Sequence, residues 1–379
     1  MTLSSTDISV LTSIQQNDGI SRKALAEKTG LSQASITKIT HKLVSEAYIR
    51  EGERIGNGLG RKEVLLYPNP HKFKFLGIDI GGYRVRMALA DYRYELTHYE
   101  QFPVDELEQQ EDVLQELMAR IAAFLEAAGA PAVDAIGVSV TGIIDMEKRR
   151  ILNIPNLNRW NDVNIVEGLS KRFEAPVYLE ESGRTMAFAE KLLGKAKEAA
   201  DFIVVHIAYG VVAGIFINGQ PLRGVNNVGG LLGHITVDEK GIRCRCGNYG
   251  CLENIVTFPM LEGRYRNMSG TANPGPLPEA YRINDKTALD VCLEAGKSIG
   301  IALSNVINLF NPEIIYLGGP VMEQFPIIFE EVRRTVLLRA NRFATVGLKL
   351  EASSFGDRQG ILGALTLAGA SYLESRMEP

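Results

Sequence analysis

The 379-residue sequence contains no apolar run approaching the ~18 residues that span a bilayer, which excludes a transmembrane helix. Its opening, MTLSSTDISV, lacks the basic flank and apolar stretch of a secretory signal, so the expected location is the cytoplasm. Cysteine is scarce: there are four, and Cys244, Cys246 and Cys251 fall within eight positions. In a reducing compartment such crowding points to a bound metal rather than to disulfides. What is plentiful is ordinary. With 45% hydrophobic and 23% charged residues the chain can bury real cores, and its length suits two or three domains.

The net charge of −4 conceals an asymmetry. Residues 1–74 carry eleven Lys/Arg against seven Asp/Glu, a balance of +4, which leaves −8 for the remainder. A basic head on an acidic body is the arrangement expected when the head alone meets a polyanion. The pattern of the head agrees. Ile8, Leu11 and Ile14 have helical spacing. Ser21 caps a second segment that ends at Gly30, and Ser32 caps a third in which Ile36, Ile39, Leu43 and Val44 form the inward stripe. From Ser21 to Glu46 this is the helix-turn-helix plan. Ser32, Gln33, Ser35, Thr37, Lys38, His41 and Lys42 lie mostly off the stripe. Short polar side chains near a helix amino terminus suit base edges, and the later cations suit phosphates. Two strands follow, near residues 48–50 and 63–66, joined by a loop with Gly56, Gly58 and Gly60. The hairpin is a wing, and its Arg61 could enter an A·T-rich minor groove.

Pro68 and Pro70 punctuate the chain, which gives a winged helix-turn-helix over residues 1–70. FKFLGIDIGGYRVRMALAD then reads as strand, glycine turn, strand, and DFIVVHIAYGVVAGIFINGQ repeats that unit about 125 residues later. Two α/β lobes related by duplication are expected, over residues 71–195 and 196–379. An apolar final helix, Gly360–Leu373, should pack back on the first lobe.

The run LGIDIGG, the pairing of His234 with CRCGNYGCLE, the LGGPV turn near position 317 and the amino-terminal winged helix together resemble the ROK family (repressors, open reading frames and kinases). The likeness is to its repressor branch, typified by the N-acetylglucosamine and xylose repressors, and it covers essentially the whole chain. The resemblance implies two actin-like, sugar-kinase-like lobes with a sugar site in the cleft. It also implies a structural Zn2+ on His234, Cys244, Cys246 and Cys251. Three thiolates and an imidazole make a closed tetrahedral set, and Gly247 and Gly250 permit the tight loop. A loop of buried thiols or a redox pair at Cys244 and Cys246 is the plainer alternative. Cys292, in an apolar helical stretch, reads as a core residue.

Against the family's kinases the site looks dismantled. The catalytic aspartate of their Glu-Asn-Asp-Ala-Asn motif matches Ser182, and the asparagine before it matches Glu181. A serine hydroxyl cannot serve as the base that takes the sugar's proton. The first phosphate loop keeps Asp79, Gly81 and Gly82 but carries Tyr83 and Arg84. The second reads Ala208, Tyr209, Gly210, Val211 and Val212, with bulk where a phosphate needs bare backbone. Leu231 replaces a sugar-binding glutamate, and the family's Pro-Gly turn becomes Thr141–Gly142. The residues left to meet an effector are Gly142, Glu181, Ser182, His234 and Glu253, although Glu253 could equally be a solvated carboxylate. Glu181 and Arg184 bring opposite charges to the cleft mouth, there to hold a charged substituent or simply to pair with each other. The expectation is therefore a regulator rather than an enzyme: a homo-oligomeric, cytoplasmic repressor binding operator DNA and a sugar-like effector. A sugar kinase with an appended head, or a regulator governed by a protein partner, are the alternatives.

Overall fold

A computed structural model of the chain describes residues 2–55, 63–155, 157–271 and 273–377. Helices α1 (Ser5–Gln15), α2 (Arg22–Thr29) and α3 (Gln33–Ser45) open the chain. Each start has a side-chain cap: Ser4 accepts from Asp7 N, Ser21 from Ala24 N and Ser32 from Ser35 N. Helix α2 stops at Gly30, whose φ of +70° is the left-handed turn that suits glycine. Val10, Leu11, Ile14, Leu25, Ile36 and Leu43 are fully buried, so the expected stripe is the core of the head, with Ile39 and Val44 at its margin. Strand β1 (Ile20–Ser21) pairs with β3 (Glu63–Pro68), which pairs antiparallel with β2 (Ile49–Ile55) to form the wing hairpin. Its loop, with Arg61, lies outside the described residues.

The chain forms two compact units. The first comprises Met1–Val140, Ile144–Glu180 and Gly360–Pro379; the second comprises Thr141–Ile143 and Glu181–Gln359. In the first, strands β4 (Lys74–Ile80), β5 (Arg84–Asp91), β6 (Leu96–Pro103), β7 (Ala135–Val140) and β8 (Val177–Glu181) are ordered β8-β7-β4-β5-β6. Helices α4 (Val113–Ala127) and α5 (Ile165–Phe173) supply Leu117, Ile121, Phe124, Ile165 and Leu169 to the same core. In the second unit, helix α6 (Ser182–Leu192) precedes strands β9 (Phe202–Ile207), β10 (Val211–Ile217), β11 (Gln220–Pro221), β12 (Ile314–Gly318) and β13 (Lys349–Ala352). These are ordered β11-β10-β9-β12-β13. Both sheets follow one plan, in which the first strand pairs antiparallel with its hairpin partner and parallel with a later strand. That shared plan is the repeat read in the sequence. The later strands of the second unit are reached through helices α7 (Lys286–Phe310) and α8 (Pro326–Arg339), which pack side by side over the core.

The expected division at residue 195 falls elsewhere. Helix α6 goes with the second unit because it lies directly on β10, where a Cβ on Gly183 would come within 2.7 Å of the Ala213 backbone. The final helix, α9 (Gln359–Glu374), begins at the last residue of the second unit and otherwise belongs to the first. It packs on the sheet where Gly77 and Gly137 leave bare backbone; a Cβ on Gly137 would sit 2.9 Å from Ala368 N. Just beyond its end the Arg376 carbonyl accepts from Leu3 N at 2.9 Å, and Tyr372 meets Phe73 edge to face. The chain's two ends are thus joined at the head.

Within the head, Lys42 Nζ donates to the buried Asp7 Oδ2 at 2.7 Å, tying α3 to α1. Burial pushes the Asp7 carboxyl up, but hydrogen bonds from Lys42 and from the Ser4 amide and hydroxyl outweigh it and hold it below its ordinary value. A carboxyl lowered by folding stabilises the head above its unfolded pKa and loses that contribution as pH falls through the folded one. Lys42→Ala is expected to weaken the head by about 1 kcal/mol, since Asp7 keeps its other partners and Lys42 is partly solvated. Hydrogen exchange across Ser5–Gln15 and Gln33–Ser45 should quicken in this variant at pH 7. The difference from wild type should begin to fade at about pH 4 and vanish as pH falls through the lowered folded value, where the wild-type carboxyl protonates too.

Candidate functional site

On α3, Ser32, Gln33, Ser35, Thr37, Lys38, His41 and Lys42 are all exposed, the arrangement the helix-turn-helix reading requires. They are not equivalent. Ser32 and Ser35 bond to each other at the helix start, and the Thr37 hydroxyl donates to the Gln33 carbonyl at 2.7 Å. Lys42 is engaged by Asp7, which leaves Lys38 and His41 as the outward cationic or titratable groups of the helix. Thr40, which the apolar stripe did not predict, is fully buried and accepts from Arg22 Nε at 2.9 Å, while Arg22 also pairs with Glu51 at 2.7 Å. Helix α2, α3 and the wing strand are thereby locked together through one guanidinium.

The residues expected to meet an effector lie in the second unit. Ser182 is fully buried and its hydroxyl stands 3.1 Å from that of Thr141, the neighbour of Gly142. Glu181 is the cap of α6: its carboxylate accepts from Gly183 N at 2.8 Å and Arg184 N at 3.2 Å. A capping carboxylate is well placed there, against the helix dipole. Arg184 is only 1% exposed. Its guanidinium donates to the carbonyls of Asn227 (3.2 Å) and Gly229 (3.3 Å) and lies 4.0 Å from Glu181. The expectation of two opposite charges at a mouth is therefore corrected: one caps a helix and the other is buried as an internal brace for the 227–229 loop. Glu253 is not simply solvated either, since its carboxylate accepts from Val211 N at 3.0 Å and lies close to Gly210 and Gly233. In the first unit, Asp79 is buried and accepts from Arg86 at 3.2 Å. The Tyr209 ring stacks on Phe258, with centroids 6.2 Å apart.

His234, Cys244, Cys246 and Cys251 offer ligand atoms that all lie within 4.8 Å of one another. Cys246 Sγ stands 3.7 Å from Cys251 Sγ, and Cys244 Sγ stands 3.7 Å from His234 Nδ1. A tetrahedron with metal–sulfur bonds of ~2.3 Å has edges of ~3.8 Å, so the spacing suits one small cation. The loop needs glycine at Gly247 and Gly250, with φ of +96° and +63°. Burial and the neighbouring thiols push Cys251 up to about 12, a cost that a cation among the sulfurs would reverse. Cys292 is buried in α7 and burial alone raises its thiol to about 12, in keeping with a core role.

The sequence profile of the ROK family matches residues 75–371, and one described as winged helix-turn-helix DNA-binding matches residues 3–50. The chain belongs to the ROK family. It is 28% identical to the xylose repressor of Bacillus subtilis over 368 residues, covering 96% of this chain and 95% of the other. With an N-acetylglucosamine repressor of Escherichia coli it shares 29% identity over 372 residues, covering 95% and 91%. A solved structure titled as a ROK family transcriptional regulator, homologous to the E. coli MLC protein, has a TM-score of 0.80 at 28% identity. The match covers 98% of both chains. As a ROK protein the chain carries both the head and the body, and its His234, Cys244, Cys246 and Cys251 ligand atoms form a compact set. Among the described residues no helix is long and apolar enough to cross a membrane.

Cys246→Ser removes one of the four donors. Elemental analysis is expected to find one divalent metal per wild-type chain and well under half that in the variant, with a lower melting temperature. Metal-free wild-type protein, isolated without chelator, would count against the cluster as a metal centre.

Proposed function

We propose that this ROK protein is a transcriptional repressor of sugar transport or catabolism genes, binding operator DNA through α3 and responding to a sugar-like effector. The observation that carries the reading is the exposed polar face of α3 on a capped helix-turn-helix, joined to a body like those of full-length repressors. Such a regulator works in the cytoplasm, where its operator is. Reading a symmetric operator takes two heads at fixed spacing, which a homo-oligomer supplies. The ion in the cysteine cluster is Zn2+: the set is closed, with three thiolates and an imidazole and no acidic oxygen donor, and a closed set of this kind is structural. The zinc supplies folding free energy and no chemistry. His234 and the three cysteines hold it, and their loop fixes Thr236 and Tyr249 through the hydrogen bond between them at 3.2 Å.

Phosphoryl transfer is absent on this reading. Ser182 has no charge to accept a proton, and its hydroxyl is already shared with Thr141 and Glu181. Asp79 is paired with Arg86, and Tyr209 puts a bulky side chain in the second phosphate turn. The effector lies near Gly142, Ser182, His234 and Glu253, with a sugar other than glucose or N-acetylglucosamine favoured, because Leu231 removes a hydroxyl acceptor. The inward bonding of Glu181 and Arg184 removes the reason to expect a charged substituent.

Removal of residues 1–70 should abolish retardation of a fragment of the chain's own promoter, and persistence of the retarded band would refute the assignment of the head. Gln33→Ala should cost ~1–3 kcal/mol at one base pair only. Lys38→Ala should instead weaken all sequences alike and lower the slope of log affinity against log salt by about 1. In a coupled assay with ATP and hexoses, N-acetylhexosamines or pentoses, turnover should stay far below the ~1 per second at the foot of the kinase range. A rate in that range would restore the kinase reading.

A further inference from the structure

Helix α2 grows directly out of the sheet of the wing. Ile20 and Ser21 form β1, paired with Leu66 and Leu65 of β3, and Arg22 is the next residue and the first of the helix. Its side chain reaches past β3 to β2. Nε donates to Thr40 Oγ1 of α3 at 2.9 Å, and Nη2 donates to Glu51 Oε1 of β2 at 2.7 Å. The Arg22 side chain is 23% exposed and Thr40 is fully buried, so the α3 end of this fork is sheltered from water. Thr40 carries the link onward: its hydroxyl donates to the carbonyl of Thr37, on the exposed face of α3.

The point at which Arg22 takes hold of the wing matters. Ile20, Leu66 and Glu51 stand side by side across the three strands. Beyond Glu51 the ladder slips, and pairing resumes only at Arg54 with Val64. A bulge of this kind bends its strand and raises the local twist, so it decides where the rest of the hairpin is aimed. Gly52 opens the bulge, at a place where a Cβ would overlap the Tyr67 ring. Glu51 is thus the last regularly paired residue before the bend. As an ion pair its bond to Arg22 adds little stability, since Glu51 is 48% exposed. What the fork adds is direction. A planar guanidinium holds two partners in one relative orientation, which an ammonium on a flexible stem does not. We infer that Arg22 is a positioning residue for DNA readout. It sets the angle between α3, seated in the major groove, and the wing, so that base pairs beneath the wing are discriminated in register with those beneath α3. The inference rests on the DNA-binding reading given above, and Arg22 itself contacts no base.

Retardation of fragments of the chain's own promoter, with one base pair changed at a time, tests it. The wild type should discriminate two blocks: the one that Gln33→Ala blunts, and a flanking one. Arg22→Lys keeps the charge and breaks the fork. It should reduce the penalty for a flanking mismatch from ~5-fold or more to nearly none, while penalties in the Gln33 block and the melting temperature hold. Glu51→Ala should do the same from the exposed side. Glu51→Gln keeps an acceptor oxygen and should retain most of the flanking discrimination. Arg22→Lys with Glu51→Ala should be no worse than either alone, because both remove one link. Should Arg22→Lys fail to fold, Glu51→Ala decides by the same criteria. Flanking penalties that survive these variants overturn the inference. Equal weakening of both blocks also overturns it, making Arg22 a phosphate contact, or a structural brace if the melting temperature falls in step. A wild type that retards its promoter but reads no flanking block overturns the inference and leaves DNA binding standing. One that retards no promoter fragment removes the DNA-binding reading itself.

Discussion

The first unit depends on how closely α9 can approach its sheet. Gly77 on β4 and Gly137 on β7 remove the two side chains that would hold the helix away, and Ala364 and Ala368 keep the helix side equally thin. Tertiary packing of this kind, rather than helix propensity, is what holds most protein helices. The gain is positional as well as energetic. A helix seated on bare backbone cannot slide without meeting strand atoms, so its far end is fixed, and there Tyr372, Arg376 and Met377 hold Phe73 and Leu3. Sheet, helix and DNA-reading head are consequently held in series by one element.

Several polar groups at the positions that match the kinases' site do similar positional work. Glu181 caps α6, Arg184 braces the 227–229 loop, Glu253 anchors the turn at Val211, and Asp79 is held by Arg86. Buried charges endure only when paired and hydrogen-bonded, and each of these has partners close at hand. Catalysis asks instead for groups kept available to a substrate. Here the same groups hold loops instead, and a regulator benefits from loops held in definite places.

How much of this the sequence disclosed follows from the range of the interactions. The four metal donors were legible because three lie within eight positions and the fourth ten residues before them, so spacing alone proposes a site. Helix starts at Ser21 and Ser32 were legible for the same reason, since a cap acts over three residues; the cap at Ser4 was not read. The repeated strand–turn–strand disclosed the two sheets, and both have the same strand order. What escaped was long-range. Nothing local in the sequence pairs Lys42 with Asp7, 35 residues away. Arg184 was misplaced because arginine is almost always a surface residue, and only the carbonyls of Asn227 and Gly229, more than forty positions on, make its burial tolerable. The boundary at residue 195 erred because α6 belongs by sequence to one repeat and by packing to the other.

The first unit is assembled from three separate stretches of chain, the last beginning at Gly360. A ribosome adding ~5–20 residues per second therefore exposes the sheet of β4 to β8 long before it makes the helix that covers it. The whole second unit must emerge in the interval. Until then Gly77 and Gly137 face an empty groove, and the head lacks its tie to Arg376. A nascent or prematurely terminated chain thus lacks the Leu3–Arg376 tie, which forms only once translation has delivered the last turn of the last helix.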